Sequence, residues 1–588
     1  MSALARAGLS LALLALILVF TFGVAAPPEH CPTASPSELR RSAQASVDWF
    51  VRNQNPEGSW LYEYNADTNT TSAPADYNWV RHAGATMGLY QAAAADMPGA
   101  LRSADRGTEW ALDRLIERYG WSAFGSPAQV STGASALLAA GLAIRREATG
   151  DDRYDDVLAG LGRFLVAQTE PSGAVLASYD TGTGAPVPGE YSKYYTGEAY
   201  WALARLDRAF PGEGWGRVAD RIGTYLATRR DDAEDHWPPI PDHWAAYGMA
   251  ERVSAGGRSL SGDEADYARR QAELFGAQAR WLAQRYGPWG EVVRAGYEPR
   301  GGWYGVIGEA LTGWWRVAGQ DARLAEVRDA ISDRATCVAG LAVSAQSGAE
   351  EAAGAARPGR VEGAWFRDGV TRMDDQQHAL SGLLRTIPIA QAGAPADADG
   401  DPPSALLWAA ALLLALNPAR AAFAIPRAGQ APREAVGLAV LGGALGGAAV
   451  CLVAAAGDPL LDALDVSEPS FRLAAGVVAA VAGIADLFRR SPSPEPALPG
   501  WRAALIPVAI PAVARPALLV MAIGAGADRS ALVAVAAMVA AVGLLAGLTA
   551  WCPTDGPRGR ALGWARRLLA VGLVACGVLL AVDGLLDV

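Results

Sequence analysis

The feature that most constrains this chain is an abrupt loss of charge near residue 400. Residues 401–588 contain 13 arginines and 12 acidic residues, whereas residues 1–400 contain 37 basic and 49 acidic residues. Charged side chains make up 19% of the whole chain, against about 25% in soluble proteins. The sequence therefore predicts an acidic domain that folds in water, followed by an apolar domain that folds in a membrane.

Six apolar stretches in the second domain are each long enough to cross a hydrocarbon core of about 30 Å. Arginines follow the first, third and fifth stretches, and acidic residues follow the second and fourth. Because positive loops stay on the cytoplasmic side, this alternation places residues 27–400 and the C-terminus outside. The six stretches are 404–424, 435–456, 471–488, 502–524, 530–550 and 567–586.

The N-terminus has the pattern of an export signal. Arg6 precedes an apolar run over 9–26, and small residues near Ala26 offer a cleavage site, although an uncut run of this length would also serve as an anchor. We therefore expect a multi-pass protein of the plasma membrane whose residues 27–400 are extracytoplasmic. The expected domains are a signal peptide or membrane anchor (1–26), an exported domain (27–395), a linker (396–404) and a six-span membrane domain (405–588).

Two of the six apolar stretches are interrupted by proline and carry arginine. The first contains Asn417, Pro418 and Arg420, and the fourth contains Pro511 and Arg515. Broken spans at matching places in two three-span halves predict a 3+3 repeat with a binding site for a small solute near the membrane midplane, lined by Asn417, Arg420 and Arg515. The alternative is that both arginines reach the cytoplasmic face and the prolines only kink their helices.

The membrane domain resembles the MarC family of integral membrane proteins. The resemblance rests on residues 470–476, 483–486, 506–511 and 572–585, and it covers about 185 residues. It departs from the family at Ala514-Arg515-Pro516, where such sequences carry Gly-Pro-Gly. The resemblance implies six spans and the transport of a small solute.

Residues 36–392 predict helices throughout, arranged as a repeated hairpin. Each unit has an apolar helix, a loop with glycine and aromatic residues, and a second helix rich in alanine and glycine, with a period near 60 residues. Six such hairpins with no strand signal favour an α/α toroid, in which the second helix of each pair lies inside. The fold class is therefore all-α. Cys31 and Cys337 lie near the two ends of this domain and could pair in an oxidising exterior.

The hairpin domain also resembles known families. Gln54, Gly58 and Trp60 are spaced as in the repeat of squalene and hopene cyclases, but no Asp-x-Asp-Asp motif is present. The wider hairpin pattern resembles six-hairpin glycosidases and sugar epimerases. The resemblance implies that the domain binds or processes a sugar, a glycan or, in the cyclase case, a terpenoid lipid.

In a toroid, the loops that enter the inner helices line one opening, and five of the six loops combine carboxylates with aromatic residues. Paired carboxylates perform general acid–base catalysis, histidine transfers protons near neutral pH, and aromatic rings stack on sugars. An aspartate at a helix start is also a common cap, so a structural role remains the alternative. The candidate catalytic residues are Asp374, Asp375, Glu198 and His378, and the candidate binding residues are Lys193, Tyr194, Tyr195, Asp242, His243, Trp244, Trp303, Tyr304 and Arg372.

These patterns predict a membrane protein whose exported toroid binds or processes an envelope glycan or sugar derivative, as a hydrolase or an epimerase. The toroid would act beside a small-solute transporter. A non-catalytic solute receptor and a cyclase-like lipid enzyme remain alternatives. No metal or cofactor is expected, because no zinc motif, phosphate loop or dinucleotide fingerprint is present. The expected partners are a sugar ligand, a small solute and the lipid bilayer, and the net charge of −11 argues against nucleic acid.

Overall fold

The computed structural model describes residues 3–126, 129–234, 239–254, 258–286, 299–393, 403–425, 431–464, 466–488, 498, 500–551 and 556–587. Its contacts divide the chain into two compact units. Residues 31–283 and 296–400 form one unit, and residues 1–30, 284–295 and 401–587 form the other. Helix α1 (Ala3–Phe20) continues into a short π-helical turn, Thr21–Ala25, in the second unit.

Twelve long helices build the first unit as six successive hairpins. They are α2 (Pro36–Arg52) and α3 (Trp79–Ala94), α4 (Ala100–Leu112) and α5 (Thr132–Thr149), α6 (Asp155–Gln168) and α7 (Tyr195–Ala209), α8 (Trp215–Thr228) and α9 (His243–Ser254), α10 (Gly262–Arg285) and α11 (Gly301–Ala318), and α12 (Ala325–Ala345) and α13 (Met373–Ala392).

The second helix of every hairpin belongs to a closed inner ring. Helix α3 packs on α5, α5 on α7, α7 on α9, α9 on α11, α11 on α13, and α13 returns to α3. Such crowding suits small residues, and α5 is buried over the whole of Thr132–Arg145. The predicted all-α toroid of six hairpins with the second helix inside is therefore confirmed.

Small antiparallel sheets occupy loops that enter the inner helices. Strand β1 (Glu63–Asn65) pairs with β2 (Thr70–Thr71) and with β8 (Val370–Arg372), and β8 leads directly into α13. Strands β3 (Leu115–Arg118) and β4 (Trp121–Phe124) form a hairpin, and β5 (Gln129–Ser131), β6 (Ser178–Asp180) and β7 (Ala185–Pro186) form a third sheet. These short strands carry too few residues for the period-2 pattern on which sequence reasoning depends.

A disulfide joins Cys31, just before α2, to Cys337 in α12. The two cysteines are 306 residues apart in sequence, so the bond closes a loop that contains nearly all of the toroid. Beside it, Pro32 lies directly against Gly340, where a Cβ atom would approach the Pro32 carbonyl oxygen to 1.8 Å. Gly340 therefore allows the N-terminal segment to lie flat on α12.

The second unit is a bundle of apolar helices. Besides α1 and a short helix over Gly457–Ala463, its described helices are α14 (Ala405–Leu416), α15 (Pro418–Ala424), α16 (Pro432–Ala455), α17 (Glu468–Phe488), α18 (Pro516–Asp528), α19 (Ala531–Trp551) and α20 (Gly556–Leu586). Five segments of the described chain are long and apolar enough to cross a membrane, namely 405–424, 432–455, 468–488, 531–551 and 559–586. The protein is therefore membrane-associated.

The fourth predicted span, whose prolines predict an interruption, is not one continuous helix in the structure. Residues 500–513 form short 3-10 and π-helical turns, and α18 begins only after Arg515. Pro507, Pro511 and Pro516 each lack the N–H that a continuous helix needs, so the segment divides into shorter pieces. The first span breaks in a comparable way at Asn417, which has a φ of +53° between α14 and α15.

Helices of the first three predicted spans pack on helices of the last three. Helix α14 contacts α18, α19 and α20, α16 contacts α18 and α19, and α17 contacts α18 and α20. Glycines allow the closest of these pairs, because a Cβ on Gly476 would lie 2.4 Å from the Ala581 nitrogen and one on Gly577 would lie 2.6 Å from the Ala480 nitrogen. The predicted 3+3 repeat stays a prediction.

Candidate functional site

The inner helices of the toroid all run in the same direction, because each is followed by an outer helix that returns. Their N-terminal turns therefore meet at one end of the ring. Helix α11 comes especially close to α13 there, since a Cβ on Gly305 would lie 2.0 Å from the backbone carbon of His378. The absence of a side chain at Gly305 lets residues of these two helices meet across the interface.

Three polar side chains from three inner helices converge at this end of the ring, and we call them the histidine site. They are His243 at the start of α9, Glu309 in α11 and His378 in α13. The Nδ1 atom of His378 lies 2.7 Å from Oε2 of Glu309, and Nε2 of His243 lies 3.8 Å from the same oxygen. The two imidazole rings are 5.4 Å apart between centroids.

The Glu309 carboxylate is held from both sides in a fully buried position. Tyr247 donates a hydrogen bond from its hydroxyl to Oε1 over 3.0 Å, and Gln377 donates from Nε2 to the same oxygen over 3.4 Å. The guanidinium of Arg385 lies 3.8 Å from the centre of the Tyr247 ring. These contacts fix the orientation of the carboxylate toward His378.

The two histidines of the site have pKa values displaced in opposite directions. Burial, and then the charge of His378, lower the pKa of His243 well below 6.5. Burial also opposes the charged form of His378, but the Glu309 carboxylate, together with the charges of Asp374 and Asp375, raises the pKa of that imidazole. The surroundings therefore favour the neutral, basic form of His243 and the charged, acidic form of His378.

Both histidines keep nitrogen atoms for a ligand. Neither ring nitrogen of His243 has a hydrogen-bond partner among the described residues. His378 uses Nδ1 for Glu309, which leaves Nε2 as its second donor. Two imidazoles and a carboxylate could also hold a divalent ion, since their ligand atoms lie within 4.8 Å of one another. The sequence-based expectation of no metal therefore stays a prediction.

Glu198 lies in a separate buried place at the start of α7. Its Oε2 atom and the Tyr195 ring lie beside Gly133, where a Cβ would approach each to 2.4 Å. Burial, and then the nearby Asp242 carboxylate, raise the pKa of Glu198 to about 8. Glu198 is thus a protonated acid at neutral pH.

Asp242 is a predicted binding residue, and in the structure it contacts residues that hold the start of α9 in place. It forms a buried ion pair of 2.5 Å with Arg230, and its Oδ1 accepts a hydrogen bond from the Ala245 nitrogen at the start of α9. Both contacts fix the first turn of α9. Asp242 therefore positions the neighbouring His243, and its predicted contact with a substrate stays a prediction.

The adjacent carboxylates Asp374 and Asp375 point to different partners. Asp374 pairs with Arg81 at 2.9 Å, whereas Asp375 lies 3.4 Å from Arg300 and accepts a hydrogen bond from the Gly302 nitrogen. Burial, and then the Asp374 charge, raise the pKa of Asp375 to about 6. Through the hydrogen bond from the Gly302 nitrogen, Asp375 caps the first turn of α11, the helix that carries Glu309.

Arg372, a predicted binding residue, forms an ion pair of 2.6 Å with Glu63 between the paired strands β8 and β1.

The predicted aromatic residues divide between the surface and the core. Tyr194 is 40% exposed, its ring lies 6.3 Å from that of His243, and the Lys193 ammonium lies 4.9 Å from its centre. Trp244 is instead buried against Trp201 at a ring distance of 5.5 Å. Tyr194 and Lys193 are therefore the predicted binding residues best placed to meet a ligand beside His243.

The two remaining predicted aromatic residues also differ in how deeply they are buried. Tyr304 is buried in the core, and Trp303 is half-buried with its ring 5.8 Å from that of Trp281.

Glu309 and Tyr247 belong to the site. The sequence places both near inner-helix entries that combine carboxylates with aromatic residues, but neither is among the predicted catalytic or binding residues. Glu309 lies more than two turns inside α11. One signal could have found it. It is the single acidic residue in the apolar sequence of α11, and a carboxylate there must be buried with partners.

In the second unit, the predicted residues Asn417, Arg420 and Arg515 lie together, joined by Asp486 of α17. Arg515 Nη2 lies 2.9 Å and Arg420 Nε lies 3.7 Å from the Asp486 carboxylate. Asn417 caps α15 by accepting a hydrogen bond from the Arg420 nitrogen. Since Asp486 is two residues from the end of α17, the cluster lies toward one end of that helix and not at its middle, where a midplane site was expected.

No family model matches the chain, and no curated protein matches it in sequence. Among solved structures it is similar to cellobiose 2-epimerase from Spirochaeta thermophila, at 15% identity over 61% of this chain and 98% of that chain, with a TM-score of 0.44. It is also similar to an α-mannanase from Bacteroides thetaiotaomicron, at 10% identity over 60% of this chain and 96% of that one, with a TM-score of 0.41. A third similar structure is an unsaturated glucuronyl hydrolase specific for heparin, at 13% identity over 60% and 98% of the two chains, with a TM-score of 0.40. The chemistry of the site therefore has to be argued from its own residues.

Proposed function

We propose that the toroid is an extracytoplasmic epimerase or isomerase that moves a proton at the carbon beside the carbonyl group of a sugar or glycan end. The observation that carries this proposal is the histidine pair, whose pKa values are driven apart by Glu309 and burial. Proton transfer at carbon requires a neutral base and a charged acid whose charge states are set by their surroundings.

The reaction needs only these two groups and an open-chain sugar. His243 takes the proton from the carbon next to the carbonyl, and the electrons of that C–H bond form the double bond of an enediol. His378 gives its Nε2 proton to the carbonyl oxygen as that oxygen gains charge. Return of a proton to the opposite face of the same carbon, while the new hydroxyl gives its proton back to His378, gives the epimer. Protonation of the former carbonyl carbon, while the hydroxyl on the neighbouring carbon gives its proton to His378, gives the isomer. No electron leaves the sugar, so no redox partner is needed.

The residues around the histidine site are suited to binding the ring of a sugar. Tyr194 is exposed near His243, and Lys193 lies against it. An aromatic face binds the C–H face of a sugar, while an ammonium can bond its hydroxyls. A glycosidase based on Asp374, Asp375 and Glu198 is less well supported, because Asp374 and Asp375 each pair with a different arginine.

For the second unit we propose the transport of a small solute, as its MarC-like sequence features imply. Its two interrupted spans, at Asn417 and before Arg515, support this role. Broken helices in two equivalent halves are a common arrangement in transporters, because the breaks free backbone groups for a solute.

Deuterium exchange tests the proposed reaction. The purified full-length protein is incubated in D2O with a panel of reducing mono- and disaccharides, and NMR follows loss of the proton beside the carbonyl and the appearance of an epimer or ketose. His243→Asn and His378→Asn should each lower the rate by about 10²–10⁴-fold, whereas the exposed His30→Asn serves as the matched control and should leave the rate unchanged.

The same experiment separates the alternatives. Exchange that survives both substitutions would overturn the assignment of the acid and the base. A sugar that binds without exchange in the wild-type protein would favour the non-catalytic receptor, and release of a monosaccharide without exchange would favour a hydrolase.

A further inference from the structure

We propose that the second unit contains two ionic locks, one at each end of helix α17, that open alternately to admit a solute from opposite sides of the membrane. This inference rests on the proposed transport role of the unit and specifies how access to the solute path is controlled. It is carried by two clusters of buried charges that tie the same pair of helices together.

The first lock is centred on Arg472, near the start of α17. Its guanidinium contacts the Asp528 carboxylate at 2.7 Å and the Asp583 carboxylate at 2.9 Å, and it also pairs with Asp587. Trp408 donates a hydrogen bond to Asp528 over 2.9 Å. Arg472 and Asp528 are both 1% exposed, so this is a buried pair.

The second lock is centred on Asp486, near the end of α17. It pairs with Arg515 at 2.9 Å and lies 3.7 Å from Arg420. Arg515 also donates a hydrogen bond from Nη1 to the Ala415 carbonyl over 2.8 Å. That carbonyl lies at the break between α14 and α15, so this lock also holds the interrupted first span.

The two locks join the same two helices, one from each half. Arg472 and Asp486 are 14 residues apart, which is about 21 Å along a helix and four turns on nearly the same face. Their partners Asp528 and Arg515 stand at opposite ends of α18. Helices α17 and α18 are therefore antiparallel and tied at both ends, with small residues such as Ala479 between the ties.

Buried ion pairs are suited to reversible opening. Their attraction in a dry interior is offset by the cost of removing both charges from water, so the net gain of the closed state is small. When water enters one end, the separated charges regain hydration. An apolar contact regains no favourable hydration when it separates, because exposing apolar surface to water costs free energy. Each lock can therefore open and close with a modest change in free energy.

Both locks are closed in this structure, which therefore has the solute path shut at both ends of α17. Because each lock joins the two halves, opening one end while the other stays closed is a rocking of one half against the other about the intact lock. A solute held between the ends would then be exposed to one side at a time.

Labelling of a central cysteine tests the locks without knowledge of the solute. In the full-length protein, with Cys451, Cys552 and Cys576 replaced by serine, Ala479→Cys introduces a reporter that is seven residues from both Arg472 and Asp486. A membrane-impermeant thiol reagent is added to one side of membranes of known orientation. Asp528→Asn should raise labelling only from the side of the α17 N-terminus, and Asp486→Asn only from the other side.

The expected rise is about tenfold, which corresponds to a shift of about 1.4 kcal/mol between closed and open states. Asp462→Asn, an exposed substitution in the same unit, is the matched control and should change nothing. Since Asp528→Asn removes one carboxylate from beside Arg472, the conservative variant Asp528→Glu, which keeps a carboxylate there, is also made. Asp528→Glu should leave labelling at the starting level.

Labelling that is unchanged in folded variants, or that rises equally from both sides, overturns the locks. One-sided labelling that rises equally in a folded Asp528→Glu protein also counts against them. One-sided labelling without uptake of any tested solute would support the locks and contradict the proposed transport role, so the two failures remain distinct.

Discussion

At the scale of single residues, the histidine site shows how neighbours assign different roles to identical side chains. His243 lies beside a second imidazole and has no hydrogen-bond partner among the described residues, so burial dominates and the neutral form is favoured. His378 lies 2.7 Å from a buried carboxylate, so the charged form is favoured. The distinction between base and acid therefore depends on Glu309.

The pH dependence of exchange should report this arrangement. Activity requires neutral His243 and charged His378, so it should fall as pH drops below the lowered pKa of His243 and as pH rises above the raised pKa of His378. Glu309→Gln removes the carboxylate that favours charged His378. The high-pH limb of kcat/KM should then move to lower pH, and the value at pH 7 should fall by about 10²-fold.

The measurement is the pH–rate profile of deuterium exchange for wild type and variant. Glu350→Gln, an exposed substitution, is the control and should reproduce the wild-type profile. A high-pH limb that stays in place in Glu309→Gln would show that Glu309 does not set the charge of His378.

Sequence reasoning could predict part of this site and not its centre. His378 and Glu198 follow loops whose mixture of carboxylates and aromatic residues marks an inner-helix entry. The meeting of His243, Glu309 and His378 could not be predicted, because they belong to three helices and come together only when the ring closes. For the same reason, the hydrogen bond that Asp375 accepts from the Gly302 nitrogen could not be predicted.

At the scale of helices, the closest approach in the second unit depends on glycine. Gly476 and Gly483 of α17 face α20, and Gly577 and Gly584 of α20 face α17, so that each would place a Cβ within 2.4–2.9 Å of backbone or side-chain atoms of its partner. The absence of side chains at these glycines lets the two helices approach closely and maximises their contact. Close contact matters in a membrane, because lipid removes the hydrophobic drive for helices to associate. These glycines, which also contributed to the MarC resemblance, therefore have a packing role.

Gly577→Ala should weaken the α17–α20 pair. The new Cβ would lie 2.6 Å from the Ala480 nitrogen and 2.7 Å from the Gly476 oxygen, so the backbones must separate at a cost of about 1–3 kcal/mol. Heating in detergent followed by size-exclusion chromatography should show a lower midpoint of aggregation. Gly563→Ala in the same helix meets no atom within 4 Å and should not lower it. Equal midpoints for the two variants would argue against close packing at Gly577.

At the scale of the whole molecule, the loss of charge near residue 400 coincides with the division of the chain into two compact units. The repeated hairpins and the lengths of the apolar stretches predict much of the fold, since each hairpin can bury its apolar face only against the next hairpin. Ring closure also needs the last hairpin to meet the first, and α13 packs on α2 as well as on α3. That long-range contact has no local pattern in the sequence.

The Cys31–Cys337 bond holds these distant ends of the toroid together. By loop closure, a cross-link over 306 residues should stabilise the fold by about 2–5 kcal/mol, so Cys31→Ala with Cys337→Ala should lower the thermal unfolding temperature of the toroid. A reductant should lower it in the wild type and not in the double variant, and Cys451→Ala is the matched control.

Alkylation under denaturing, non-reducing conditions gives the decisive count. Protein isolated from its native membrane should take up three alkyl groups before reduction and five after it, because the chain has five cysteines. Since such bonds persist in oxidising compartments and are rare in the cytosol, this result would also support the extracytoplasmic placement of residues 27–400. Five reactive thiols before reduction would contradict both the bond and that placement, and the toroid would then have to close through packing of α2 and α12 on α13 alone.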